Sequence, residues 1–545
     1  MTSLLWAAGS LYLLGLCLLF LYGINSALLA VLYRRHKVVA LAHDRELVRK
    51  FQENGHRERI PPVTVQLPIY NERYVVERLI DAAARIDYPR HLLEIQVLDD
   101  STDETTPLAA AKVQEHRATG LDIVHLHRAD RDGFKGGALR EGLKQAKGEL
   151  IAIFDADFVP PPHFILDTLP FFRQDGKLCT VQGRWGHINR DYSPVTAAQA
   201  IGIDGHFGIE QPARAWSGLF MNFNGTAGIW RKAAIIGAGG WQSDTLTEDL
   251  DLSYRAQLAG WRMKFLPHLH CPAEIPAQLS GFKSQQHRWA KGSIQTAKKL
   301  LPRIFRSPAS AFAKYQAFLH MTHYLVHPLM IMVILATPPL LRWNWLLPGW
   351  RHLWAPLTFL SLATFGPSSL YYYSQRELYQ DWRRRFRAMP FLMLLGTGIA
   401  VNNTKAVFEG LFGRQNRFVR TPKYRIESRS DGWTGKGYRL PLPWTVLVEV
   451  GLFFYSGYGL WLALQKGTYL LVPFIVLYTL GMGYVASLGL WQAFQEGTGS
   501  YCAFTVGKKS IVGAGLALPE DGAASSAATH PQCKTGNAHS KRWRV

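Results

Sequence analysis

The sequence predicts a mostly parallel α/β domain joined to a set of membrane-crossing helices. Three observations carry this. Between residues 60 and 270 short apolar runs alternate with helical stretches, as successive β–α–β units do. Apolar runs long enough to cross a bilayer, which needs about 20 residues, lie at both ends of the chain. The formal net charge is +21, and much of the excess flanks those runs, at Arg34-Arg-His-Lys37, at Arg383 to Arg387 and from Arg414 to Arg439. That placement follows the positive-inside rule better than it fits a nucleic-acid surface, and no basic groove motif is present.

Leu4 to Tyr33 is apolar apart from Asn25 and a few small polar residues. Basic residues follow this run instead of preceding it, and no small-residue cleavage site stands out. It therefore reads as a retained first helix, residues 1–35, with Arg34 onward on the inner side. Val63 to Leu67 reads as a strand ending at Pro68, Tyr74 to Ile86 as a helix, Ile95 to Leu98 and Ile123 to Leu126 as strands. Gly137 to Ala146 looks helical, and Leu150 to Phe154 is a strand ending in Asp155-Ala-Asp157. Ligands of such domains gather at the carboxyl ends of the strands, and the polar motifs stand there. The five cysteines, at 17, 179, 271, 502 and 533, have neither metal nor redox spacing, which fits a reducing cytosolic side.

Several motifs carry chemistry. Asp155 and Asp157 are two apart, so on an extended segment both carboxylates point one way and can grip a hard divalent cation that already carries phosphate oxygens. An acidic turn is the competing account. In Asp244-Thr-Leu-Thr-Glu-Asp-Leu-Asp251, Thr245 and Glu248 have capping-box spacing, which predicts a helix opening there. Leu246, Leu250, Tyr254 and Leu258 would line one face, with Glu248, Asp249 and Asp251 in the first turn. The helix dipole favours negative charge in that turn, and a carboxylate kept ionised can take a proton from a hydroxyl. Gln285, Arg288 and Trp289 share one helical face and offer an amide, a guanidinium and an indole, which suits a diphosphate and a sugar ring. The bland alternative is that the acids complement a helix terminus and the tryptophan is core. Val181-Gln-Gly-Arg-Trp185 and Phe223-Asn-Gly-Thr-Ala-Gly228 join amides, an indole and small residues, as a pyranose site requires. A tight turn on a core tryptophan would look the same.

Together the Thr-Glu-Asp249 and Gln285-Gln-His-Arg-Trp289 motifs resemble those of processive family-2 glycosyltransferases, the cellulose, chitin, hyaluronan and mannan synthases. The resemblance covers about residues 60–495, with seven motifs in family order. The branch it is most similar to is the cellulose-synthase-like A glucomannan mannosyltransferases, through Gly-Phe-Lys-Gly-Gly-Ala-Leu139, Gln-Gly-Arg-Trp185 and Asp-Thr-Leu-Thr-Glu-Asp249. The resemblance implies a cytosolic GT-A domain over residues 60–300, on a membrane channel formed by residues 301–495. It implies Asp249 as general base and Asp155 with Asp157 as ligands of Mg²⁺ or Mn²⁺. The donor would be held by Tyr70, Glu72, Asp100, Lys135, Asp155, Gln285, Arg288 and Trp289. The acceptor would be held by Gln182, Trp185, Asn224, Gly225, Thr226, Glu248 and Trp289. GDP-mannose and UDP-glucose both remain open as donor, with a growing β-linked glycan as acceptor.

After Trp289, Lys291 to Phe305 is basic and amphipathic, which predicts a helix lying at the membrane surface. Leu319 to Leu341, Leu353 to Tyr373, Leu442 to Leu464 and Tyr469 to Phe494 read as further spans, five in all with the first. Trp343, Trp345, Trp350 and Trp354 resemble an interfacial belt. Residues 388–411 are apolar enough to cross, but Asn402, Asn403, Lys405 and Glu409 interrupt them, and a crossing would put the basic stretch 413–440 outside. An interfacial helix is the reading that satisfies the charge rule. Within the loop 412–440, Phe418-Val-Arg-Thr-Pro-Lys423 resembles the Phe-x-Val-Thr-x-Lys gating loop of cellulose synthases, so that Phe418, Thr421 and Lys423 would gate the site. Arg420 replaces the usual valine. Residues 496–545 are Gly-, Ala- and Ser-rich and read as a disordered tail.

The reading is thus a multi-pass enzyme of the inner or plasma membrane, or of the Golgi, whose partners are a nucleotide sugar, a glycan and the bilayer, with no nucleic acid. Accessory export subunits are left open. The rivals are a non-processive glycolipid synthase and a non-catalytic export channel with a degenerate transferase domain. The intact Asp155, Asp157, Asp249 and Arg288 count against the second.

Overall fold

Seven strands form one sheet in the order β3–β2–β1–β4–β6–β5–β7: β1 (Val63–Ile69), β2 (Leu93–Asp99), β3 (Asp122–His127), β4 (Leu150–Ile153), β5 (Leu178–His187), β6 (Gly228–Arg231) and β7 (Arg262–Ala273). All neighbours run parallel except β6, which is antiparallel to β4 and β5. This is the GT-A-like arrangement. The structure is a computed structural model that describes residues 2–53, 60–343, 366–413, 420–438 and 440–509. Helices Val76–Ala84, Thr105–Ala118 and Phe134–Gln145 cover the sheet, so β1, β2 and β4 are buried almost throughout; β4 is wholly apolar, whereas polar residues interrupt β1 and β2. Polar residues inside bond across neighbouring strands: Thr64 Oγ1 donates to Glu94 (2.6 Å) and Gln66 Nε2 to Gln96 (3.0 Å).

Three strands lie beyond the sequence expectations: β6, β7 and most of β5. β7 contains Pro267 and Pro272 and no clean alternation, so it reads poorly as a strand. It is tolerated because it is the sheet edge and because its register against β5 shifts between Gly183 and Arg184.

The capping box is corrected. The helix starts at Glu248, Thr247 is its N-cap, and no side chain caps it. Thr245 Oγ1 instead donates to the Thr247 carbonyl (3.3 Å), and the Thr247 hydroxyl pairs with Thr296 (3.1 Å). The acids still occupy the first turn.

The first helix also runs further than expected, over Thr2–Glu53. No glycine or proline interrupts residues 24–54, and Arg, Lys, Glu, Leu and Ala there are strong helix formers. Its polar end docks on the α/β domain through an ion pair of Asp44 with Lys264, while Leu47, Val48 and Phe51 pack on the core.

Among the described residues four helical stretches are long and apolar enough to cross a membrane: Trp6–Phe51, Ala311–Trp343, Thr445–Gln465 and Tyr469–Gln495. The chain is a multi-pass membrane protein. Most of the expected span Leu353 to Tyr373, with Trp345, Trp350 and Trp354, lies outside the described residues; a helix is described over Gly366–Leu378. Residues 382–411 form two helical stretches bent by 44°, Trp382–Gly398 and Ala400–Leu411. The first stretch and the chain beyond the second both touch the α/β domain: the Arg385 carbonyl accepts from Arg190, and Arg420 pairs with Glu72.

The stretch from Lys291 is not a separate surface helix. It continues one helix, Leu279–Arg306. Lys291 is buried beside Glu409 (3.5 Å) and Lys299 bonds Asp244 and Asp251, so part of the basic face is spent internally. The expected tail is helical up to Lys509, at the end of Val472–Lys509; residues 510–545 lie outside the described residues.

Candidate active site

One cleft opens at the carboxyl ends of the central strands. Tyr70 and Glu72 follow β1, Asp100 follows β2, and Asp155 and Asp157 follow β4; all line it. Lys135 enters from the first turn of the helix after β3. Its Nζ lies 2.6 Å from Asp155 Oδ1 and donates to the Gly225 carbonyl (2.9 Å). Burial alone would lower the Lys135 ammonium, but Asp155, Glu248 and Asp249 outweigh it and raise its pKa. Gly225 has φ +83°, and a Cβ there would lie 2.9 Å from Asp249 Oδ2 and 3.3 Å from Lys135 Nζ. The missing side chain therefore lets a carboxylate and an ammonium converge on one backbone turn. Burial, and then the neighbouring Glu248, push the Asp249 carboxyl up to about 7. Glu248 is raised too, mainly by burial.

Gln285, Arg288 and Trp289 line the same cleft from the helix Leu279–Arg306. Residues one to three turns further along that face brace the carboxylate segment. A Cβ on Gly292 would lie 2.5 Å from Thr247 Cγ2, so the two backbones are in close contact. Gln295 Oε1 accepts from Leu246 N (3.0 Å), and Lys299 bonds Asp251 (2.9 Å) and Asp244 (2.8 Å). The spacing 285, 288, 292, 295, 299 thus makes one stripe that both presents ligand-type groups and fixes Asp249 relative to them.

The expected acceptor residues divide. Trp185, Asn224, Gly225, Glu248 and Trp289 line the cleft. Gln182 and Thr226 do not; both are fully buried. Gln182 Nε2 donates to the carbonyls of Gly183, Thr226 and Ala227 (2.9, 3.0 and 3.1 Å), and its Oε1 accepts from Asn224 N (3.0 Å). Thr226 Oγ1 accepts from Asp155 N (2.9 Å). A direct acceptor contact is thereby corrected to a scaffold role: these two hold the Asn224–Gly225 turn and the Asp155 backbone. Asn224 is further fixed by Gln211 (2.7 Å) and His206 (3.1 Å).

The loop over the cleft contributes two cations. Lys423 lies 2.6 Å from Asp157, and Arg420 makes a two-point ion pair with Glu72 (3.0 Å for Nε to Oε1). Burial raises Glu72 despite this partner. Thr421 lines the cleft, and Phe418 lies outside the described residues. The replacement of valine by arginine at 420 is therefore not neutral: it latches the loop to the segment after β1. Sequence reasoning missed Arg128 and Arg131. Arg128 grips both oxygens of Asp100 (2.7 and 2.7 Å), and the Arg131 guanidinium sits 3.3 Å from the Tyr70 ring centroid. Both follow β3, and the strand-end rule that picked out Asp100 and Asp155 would have found them.

Among the described residues no group of three or more His, Cys, Asp or Glu side chains forms a metal cage. Two carboxylates do suit a cation that takes its remaining ligands from phosphate and water. Asp157 Oδ1 is buried without a hydrogen-bond partner, so the residues fit Mg²⁺ or Mn²⁺.

Residues 61–292 match the family described as "Glycosyltransferase like family 2". Glucomannan 4-beta-mannosyltransferase 2 of Arabidopsis thaliana is 33% identical over 425 residues, 75% of this chain and 74% of that protein. Glucomannan 4-beta-mannosyltransferase 1 of Oryza sativa subsp. japonica is 33% identical over 380 residues, 67% of this chain and 69% of that protein. Among solved structures, the mannosyltransferase PcManGT of Pyrobaculum calidifontis, in complex with GDP-Man and Mn²⁺, aligns with a TM-score of 0.44 at 19% identity, over 72% of this chain and 100% of that one. The chain is a membrane-embedded family-2 glycosyltransferase, related to the glucomannan 4-beta-mannosyltransferases.

Proposed function

We propose that this enzyme transfers mannosyl units from GDP-mannose to the end of a growing β-1,4-mannan or glucomannan and passes the polymer across the membrane. The observation that carries the reading is the convergence of Asp249, Lys135 and Asp155 on the Gly225 turn, in a chain related to glucomannan mannosyltransferases. Asp249 takes the proton of an acceptor hydroxyl. That oxygen bonds to the anomeric carbon of the donor while the bond from that carbon to the diphosphate oxygen breaks, and the diphosphate leaves with the electron pair. Attack opposite the leaving group turns an α-linked donor into a β-linked product. A carboxylate raised toward neutral pH is a stronger base than an ordinary one and suits this task. Lys135 and Arg288 are the chain's own cations for the departing charge. A divalent cation held by Asp155 and Asp157 would supply Lewis-acid stabilisation of the same charge. Tyr70, Glu72 and Asp100 face the nucleoside, Trp185, Asn224 and Trp289 face the acceptor sugar, and the loop with Thr421 and Lys423 covers the donor.

The test is purified protein incubated separately with radiolabelled GDP-mannose and UDP-glucose, with linkage-specific digestion of the product. Polymer from GDP-mannose that β-mannanase degrades is the expected result. Label from UDP-glucose alone, or label found in lipid instead of polymer, overturns the proposal.

A further inference from the structure

Trp185 and His187 stand two apart on β5, so their side chains leave the same face of the strand, and both line the cleft. Each has a buried ring nitrogen with no hydrogen-bond partner among the described residues: Nε1 of Trp185 and Nδ1 of His187. The other nitrogen of His187 is committed. Its Nε2 lies 2.9 Å from Asp204 Oδ1, and the His187 side chain is only 3% exposed. Asp204 is fully buried and also accepts from Gln375 Nε2 (2.9 Å) and Tyr379 OH (3.1 Å), with Arg184 at 3.9 Å. Burial works against its charge, but His187, Gln375 and Arg184 outweigh burial and hold its carboxyl below the usual range. A carboxylate only accepts, so Nε2 carries a proton, and in the tautomer this sets for a neutral imidazole Nδ1 is the acceptor.

Buried polar atoms are nearly always paired. An unpaired ring nitrogen and an unpaired indole N–H two residues apart on one strand face, both on residues that line the cleft, mark a place that a ligand completes. The required ligand both donates and accepts at neighbouring positions. Sugar hydroxyls do so; an ionised phosphate cannot donate to Nδ1. The surroundings also suit a pyranose. Trp185 belongs to a ring cluster with Phe207 (4.8 Å between centroids), Phe158 (5.2 Å) and Trp289 (6.4 Å).

We propose that His187, oriented by Asp204, binds the acceptor glycan by accepting a hydrogen bond at Nδ1 from one of its hydroxyls, while Trp185 Nε1 donates to a neighbouring hydroxyl. This rests on the acceptor side of the reading above and adds to it a residue pair with defined polarity.

Two substitutions separate binding from scaffolding. His187→Asn keeps a polar group near the Nδ1 position and loses the reach to Asp204. His187→Gln keeps that reach and leaves the Nδ1 position empty. Full-length purified protein is titrated calorimetrically with mannotetraose, with cellotetraose and, separately, with GDP. Loss of one neutral hydrogen bond corresponds to about tenfold in affinity, so His187→Gln weakens oligosaccharide binding by about that factor. His187→Asn stays within about threefold of wild type, and GDP affinity is unchanged in both. Trp185→Phe, which keeps the ring packing and removes the N–H, also weakens the oligosaccharide by about tenfold. The reverse order for Asn and Gln, equal loss in both, or no loss in either overturns the role of His187. Wild-type protein that binds neither oligosaccharide overturns the acceptor reading itself, a different outcome from tight wild-type binding with the wrong order among variants.

Discussion

Replacing Gly225 by alanine perturbs the geometry around Asp249 without removing any charged group. The new Cβ would lie 2.9 Å from Asp249 Oδ2 and 3.3 Å from Lys135 Nζ. The first distance is shorter than side-chain carbons tolerate, so the carboxylate or the turn must move by a few tenths of an ångström. The backbone at φ +83° adds its own cost, about 1–2 kcal/mol for any residue with a Cβ. That is too little to unfold a domain braced by Gln182 and Thr226 from below. A displacement of about 1 Å at a reacting group costs about 10²-fold in rate, so this smaller shift predicts a loss of about 10- to 100-fold. Nucleotide affinity stays near wild type, because Tyr70, Glu72 and Asp100 are untouched. The assay is the initial rate of transfer from GDP-mannose, beside calorimetric titration with GDP and a melting curve on the same sample. Gly225→Ala protein that folds normally and transfers within about threefold of wild type would refute the claim that this contact belongs to the reacting geometry.

Further outcomes follow from the same site. Because Asp249 must be ionised to accept a proton and its carboxyl is pushed up to about 7, kcat/KM should rise with pH through about 7 and level off above it; a flat profile from about pH 5.5 to about 8.5 contradicts the base assignment. The sign for stability is opposite. With a folded value above the unfolded value of about 3.9, this group's contribution is complete below about pH 4 and lost as pH rises through about 7, which denaturant midpoints would report. Chelation by EDTA should stop transfer and Mg²⁺ or Mn²⁺ should restore it, whereas Asp157→Asn protein should show no such rescue; full activity in a rigorously metal-free preparation removes the metal assignment. A cysteine at Arg429, whose side chain bonds the Asp191 carbonyl of the catalytic domain (2.6 Å), should resist impermeant thiol reagents in intact cells. Ready labelling there would make residues 388–411 a full crossing.

What could be read from the sequence follows from where information is local. The strand-end acids and the alternation of β1 through β4 are local patterns, and the residues they predict line one cleft. Gln182 and Thr226 sit in the right motifs, but whether an amide faces ligand or backbone depends on the antiparallel partner β6, which the sequence does not announce. Arg420 and Lys423 lie more than 250 residues from the carboxylates they grip, so no spacing reveals those pairs. The Thr245–Glu248 box failed because Thr247 and Leu246 take their partners from residues 49 positions downstream, and tertiary bonds outcompeted the local cap. The length of the first helix was hidden for a related reason: hydropathy locates the membrane-crossing part, while helix formers and docking on the catalytic domain decide where the helix ends.

The most direct test of the central claim, that Asp249 is the base of a glycosyl transfer, is the substitution Asp249→Asn measured for turnover and for nucleotide binding in one purified sample. The change keeps size and removes the basic carboxylate. General-base catalysis contributes typically about 10²–10⁴-fold, so transfer should fall by at least about 10²-fold while GDP and UDP titrate as in wild type. If the acids served only the helix dipole, the loss would be about 0.3–1 kcal/mol of helix stability with activity nearly intact. Normal turnover by folded Asp249→Asn protein would contradict the account.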